Sequence, residues 1–138
     1  ILNNSKWKFE RFAVEHDAEV DPHGYVFTHS SGLSLMHTGD SGPCEAIESR
    51  VGRCDVVVIE MGVPDHVPTT QHYSPKSIRD ISQNNPNTIF LVTHTFVDDP
   101  SSPLTAIISD VLPKLPPNVI QISDGDKFLL DSSGLNKV

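Results

Sequence analysis

The sequence predicts an α/β fold with a mixed sheet, and three observations carry that prediction. Asp55 to Glu60 and Thr88 to Thr93 are runs of β-branched and apolar residues without alternation, as expected of parallel strands covered on both faces. Segments with helical spacing alternate with these runs. Ahead of them, Tyr25-Val26-Phe27 and Leu33-Ser34-Leu35-Met36 flank Ser30-Ser31-Gly32, which reads as an antiparallel hairpin.

The elements follow in order. Lys8 to Glu15 is the first strand, with Phe9, Phe12 and Val14 as its apolar members and His16 just past its end. The hairpin comes next and runs out at His37-Thr38-Gly39-Asp40-Ser41-Gly42. A helix is expected from there, with Ser41 as N-cap and Pro43 in the first turn. Cys44, Ile47 and Val51 form its apolar stripe and Gly52 ends it. After the Asp55–Glu60 strand, a loop rich in Pro and Thr leads to Ser74-Pro75, which starts a second helix with Ile78 and Ile81 inward. Asn84-Asn85-Pro86-Asn87 breaks that helix, and the Thr88–Thr93 strand ends at His94. Ser101-Ser102-Pro103 starts a third helix carrying Leu104, Ile107, Ile108, Val111 and Leu112. Val119 to Ile122 and Lys127 to Leu130, joined through Asp124-Gly125, are expected to close the chain as a pair of strands.

A chain of 138 residues with 37% hydrophobic content fits one domain or a large piece of one, with a core of its own. No run approaches the roughly 20 apolar residues of a membrane helix. Ile1-Leu2-Asn3-Asn4 has neither the basic start nor the apolar stretch of a signal peptide, so a cytoplasmic location without membrane partners is expected. The sequence does not start with Met and is read as a piece of a longer protein. Ten basic residues against 18 acidic ones leave a net charge of -8, which disfavours a long nucleic acid as partner. Two cysteines, Cys44 and Cys54, make no disulfide framework and are expected to be free, buried thiols. Trp7 is expected in the core. Seven histidines beside 18 carboxylates supply imidazole and oxygen donors suited to zinc, manganese or iron.

His16, Asp40 and His94 share one property: each lies just past the end of an expected strand. In open α/β sheets ligands bind at that edge. Two imidazoles and a carboxylate converging there would suit a transition metal, although Gly39-Asp40-Ser41-Gly42 also reads as a plain turn before a helix.

The segments His37-Thr38-Gly39-Asp40-Ser41-Gly42-Pro43, Asp55 to Glu60, His72-Tyr73-Ser74-Pro75 and Ile89 to His94 together resemble the metallo-β-lactamase superfamily. Within it they are most similar to the branch of tRNase Z and the class II cyclic-nucleotide phosphodiesterases. Phe12-Ala13-Val14-Glu15-His16, followed by Gly24-Tyr25, resembles that branch's strand–His segment. The resemblance implies half of an αββα sandwich, with a mixed sheet and helices on one face. It implies metal ligation by His16, Asp40 and His94, with Asp40 bridging two zinc ions, or alternatively manganese or iron, about 3.5–4 Å apart. It also implies that His72 is a proton donor to the leaving group, with Glu60 orienting its ring.

One part of the family pattern is missing. The H-x-H-x-D-H signature that supplies the remaining ligands does not occur, so residues 1–138 are read as the C-terminal half of the domain. A complete site is then expected only with an N-terminal half or a partner chain, and a homo-oligomer is expected. The implied activity is a metal-dependent hydrolase, a phosphodiesterase acting on a small phosphodiester. The alternatives are a thioester or lactone hydrolase of the same superfamily, or a non-catalytic half-domain used for binding or assembly. His37 is expected to support Asp40, and His66 to lie in a surface loop.

Overall fold

In the computed structural model, residues 6–96 and 115–138 are described. They form β1 (Trp7–Ala13), β2 (His23–His29), β3 (Ser34–His37), α1 (Glu45–Val51), β4 (Val56–Met61), α2 (Pro75–Asn84), β5 (Ile89–Thr95), β6 (Val119–Gln121), β7 (Phe128–Asp131) and β8 (Gly134–Lys137). A short 3-10 turn, Ala18–Val20, lies between β1 and β2. The expected third helix lies outside the described residues.

The strands β1 to β6 make one mixed sheet whose spatial order is the chain order. β1 pairs antiparallel with β2, and β2 antiparallel with β3. β3, β4, β5 and β6 then pair in parallel. Two reversals restore direction, so β1 runs the same way as β3, β4 and β5. The C-terminal ends of these four strands therefore face one edge of the sheet, which is what allows residues far apart in sequence to meet there.

Alternation decides which face is covered. Val57, Ile59 and Met61 of β4 and Phe90 and Val92 of β5 share one buried cluster with Ile47 and Val51 of α1 and Ile78 and Ile81 of α2. Both helices thus pack on the same face. Ser74 caps α2 through a reciprocal pair of bonds with Ser77, and Pro75 opens its first turn. On that face Glu10 of β1 binds Arg50 (2.7 Å) and Arg53, while the Arg50 guanidinium stacks 4.6 Å over Phe12. Asn118 closes the lower end, its Nδ2 donating to the carbonyls of Ser82, Asn85 and Thr88 at 3.0–3.2 Å.

The opposite face carries an apolar row, Phe9, Phe27, Leu35, Val56 and Ile89, in register across five strands. Trp7 and Phe9 are 41% and 54% exposed, so the single tryptophan is not in the core. Trp7, Phe27 and Leu35 line a hollow of about 240 Å³ on this side.

Three other expectations are corrected. β6 does not pair with the next strand; it joins the main sheet beside β5. The closing hairpin is β7 with β8, a separate two-stranded sheet turned at Ser132-Ser133, where Asp131 accepts bonds from the backbone and hydroxyl of Ser133. Ser41 does not cap α1: the N-cap position is Cys44, which makes no side-chain capping bond. Cys44 and Cys54 are free, and only Cys54 is fully buried.

Candidate functional site

The shared sheet edge gathers His16, Asp40, Glu60, His72 and His94. Glu60 lies near the end of β4 and is 2% exposed. The loop after α1's neighbouring strand brings His72 back over it, with Nδ1 2.7 Å from Glu60 Oε1. The buried carboxylate is held by main-chain donors: Ser41 N–H to Oε1, Gly62 N–H to Oε2, and the Tyr73 amide. Burial nonetheless dominates. It pushes the Glu60 carboxyl from 4.5 up to about 7, and the nearby Asp40 charge pushes the same way. Burial also lowers the His72 imidazole, as does His16, against an opposing pull from Asp40.

This close pairing needs glycine at position 62. A Cβ there would sit 2.9 Å from His72 Nδ1 and 3.0 Å from Glu60 Oε2.

His72 is in ring contact with both of the other imidazoles. Its ring centroid is 5.0 Å from that of His16, edge to face, and 6.4 Å from that of His94, nearly parallel. His16 Nδ1 lies 3.1 Å from the Gln71 carbonyl, the orienting contact a ligating imidazole uses to keep its other nitrogen free. His94 Nδ1 lies 3.6 Å from Asp40 Oδ1.

The position of His94 comes from a local irregularity. Glu60 pairs with Thr93 and Met61 with Thr95, so His94 is the extra residue of a bulge. Its φ is 47°, left-handed backbone on a residue that is not glycine. Such a conformation costs roughly 1–2 kcal/mol. The bulge takes the side chain out of the regular alternation and leaves it 57% exposed beside Asp40.

The donors fit a metal in part. In a tetrahedral site with ligand bonds of about 2.1 Å, two ligand atoms lie about 3.4 Å apart. The Asp40–His94 separation of 3.6 Å is close to that edge and too long for a hydrogen bond. His16 reaches the same edge, but it contacts His72 rather than this pair. Among the described residues, no three His, Cys, Asp or Glu side chains close into one ligand cluster. The expected convergence of His16, Asp40 and His94 is thus a close pair plus a neighbour.

His37 does not bond to Asp40. Its Nδ1 accepts the Gly39 N–H at 3.0 Å, which shapes the turn just before Asp40. Ser41 and Gly42, read from sequence as a cap and a turn, lie buried between the site's strands.

No family model matches the sequence, and no curated protein is significantly similar to it. Solved structures do match. A metallo-β-lactamase fold protein of Bacillus subtilis, YhfI, superposes with a TM-score of 0.57 at 15% identity, over 65% of this chain and 36% of that one. A long form RNase Z from yeast gives 0.64 at 13% identity, over 89% and 17%. A diphosphatase of the PhnP family gives 0.54 at 19% identity, over 87% and 42%. The chain spans less than half the length of each. The described residues therefore carry part of the metallo-β-lactamase fold, and the His16, Asp40, Glu60, His72 and His94 cluster stands on its sheet edge.

Proposed function

We propose that this edge is the C-terminal contribution to a metal-dependent phosphodiesterase site, completed by an N-terminal half or a partner chain. The observation that carries the proposal is the 2.7 Å contact between His72 Nδ1 and the buried Glu60 carboxylate. Cleavage of an unactivated phosphodiester leaves an alkoxide, which needs a proton. The pair can hold one. When it carries a proton beyond neutral imidazole and carboxylate, His72 presents Nε2–H, whichever partner holds the shared proton at Nδ1. Raising Glu60 to about 7 keeps that extra proton available near neutrality.

Asp40 and His94, with His16 beside them, are the groups that would hold zinc, or manganese or iron in its place. A divalent cation bound there would supply charge for the phosphoryl oxygens and a more acidic water. His16 keeps one nitrogen for this role because the Gln71 carbonyl faces the other. The apolar row Phe9, Phe27, Leu35, Val56 and Ile89 supports the second part of the proposal, since such a face is suited to another layer packed on it. A small substrate suits the net charge of -8 better than a long nucleic acid.

The test is His72→Ala in the protein completed with its N-terminal half. Turnover of an alkyl phosphodiester should fall about 10²–10⁴-fold with metal content unchanged, and that of bis-p-nitrophenyl phosphate much less. Loss of metal would reassign His72 as a ligand. Unchanged turnover of the alkyl ester would reduce it to a loop residue.

A further inference from the structure

We infer that Ser41 is a positioning residue that fixes the His72–Glu60 pair against His16. The inference rests on the proposed function only for its catalytic meaning; the geometry stands alone. Ser41 is fully buried. Its Oγ accepts the Glu15 N–H at 3.2 Å and donates to the Gly42 carbonyl at 2.8 Å. Its own N–H donates to Glu60 Oε1, the oxygen that faces His72. Gly42 N–H returns to the Glu15 carbonyl at 2.8 Å. One dipeptide therefore ties the backbone just before His16 to the carboxylate that holds His72, and it directly follows Asp40.

The other side of the dipeptide meets the loop that carries His72. A Cβ at position 42 would lie 1.8 Å from the Thr70 carbonyl oxygen, so the loop backbone rests directly on Gly42. The next carbonyl, Gln71, faces His16 Nδ1. The spacing of 5.0 Å between the His16 and His72 rings is thus set from both sides of Ser41-Gly42. Without Oγ, the Glu15 N–H and the buried Gly42 carbonyl each lose their side-chain partner. The strand end that carries His16 is then free to shift relative to Glu60.

The experiment compares the chain with Ser41→Ala and with Ser34→Ala by NMR at pH 8, with a chelator present. Ser34 is a control of equal standing: it is buried and hydroxyl-bonded, to Arg53 and Asp55, at the opposite end of the strands. The expected result is an inter-ring nuclear Overhauser effect between His16 and His72 in the wild type and in Ser34→Ala. It is lost in Ser41→Ala, while the amide shifts of β4 and β5 stay native. Ser41→Thr, which keeps the hydroxyl, should restore it. An unchanged effect in Ser41→Ala overturns the inference, as does its loss in Ser34→Ala, which would mark general loosening. If Ser41→Ala does not fold, the same comparison is made with Ser41→Thr and Ser41→Cys, and equal ring contacts in both overturn it. A catalytically silent protein would refute the proposed function and leave this readout intact.

Discussion

Replacing Glu60 by glutamine should make the protein's stability less dependent on pH, by an amount that follows from the burial of the carboxyl. Glu60 is raised from 4.5 to about 7 in the folded chain. A raised value means that the folded state favours the protonated form. Its contribution is complete below pH 4.5 and is lost as pH rises through about 7. Linkage between these two values gives a relative penalty on the wild type of about 1 kcal/mol at pH 5 and about 3 kcal/mol at pH 8. Glu60→Gln does not ionise, so relative to wild type it should gain about 2 kcal/mol between those pH values. The substitution also has a constant cost. The amide places a donor where Oε1 now accepts the Ser41 N–H, leaving one buried donor unmet at about 1–3 kcal/mol. Because that cost does not vary with pH, the difference between the two pH values reports the titration of the Glu60–His72 pair and not the amide's hydrogen bonding. The assay is urea denaturation of both proteins at pH 5 and pH 8 with a chelator present, so that no bound cation offsets the charge. A wild-type-to-variant difference that is the same at both pH values would refute the reasoning, because Glu60 would then titrate like an exposed carboxyl.

Four further outcomes are expected. Gly42→Ala should destabilise the chain by at least about 1–3 kcal/mol in denaturant titration, because its Cβ meets the Thr70 carbonyl. His94→Asn should keep or raise stability by up to about 1 kcal/mol, since asparagine tolerates left-handed backbone better, while the completed enzyme loses metal in elemental analysis. Asn118→Ala should cost about 2–3 kcal/mol by removing a donor shared among three carbonyls, again read by denaturation. In the completed enzyme, turnover of an alkyl phosphodiester should decline as pH rises above about 7, where the His72–Glu60 pair loses its extra proton, and Glu60→Gln should flatten that limb of the profile.

Much of the edge was legible because it hangs on strong strands. The β-branched run at Val56–Ile59 and the apolar run at Ile89–Val92 mark their own ends, so Glu60 and His94 could be placed from composition alone. The bulge at His94 could not, because nothing in Thr93-His94-Thr95 requires left-handed backbone; the register with β4 imposes it. Ser41 departs from its local signal for a related reason. A serine ahead of a helical stripe is a good cap by local rules, but tertiary contacts to Glu15 and Glu60 claim it and leave the cap to Cys44. Asp124-Gly125 carries a turn signal that predicts a hairpin with β6, while the hairpin forms later, at Ser132-Ser133. The position of Trp7 shows the limit of composition: an apolar side chain on a strand can face either way, and only the assembled sheet decides.

The match between chain order and spatial order in the main sheet has a consequence for synthesis. Each strand from β1 to β6 docks beside the one made just before it, so a chain emerging from the ribosome can extend the sheet at one growing border without rearranging earlier pairs. The first three strands close through short-range antiparallel contacts. β4 and β5 wait for the crossovers through α1 and α2, whose longer connections are slower to close. His16, Asp40 and Glu60 are therefore made before His94 exists. A nascent chain released before residue 94 would carry most of the ionisable cluster with a bare β4 border, and it is this truncated species, rather than the finished sheet, that would be most exposed to strand-to-strand aggregation.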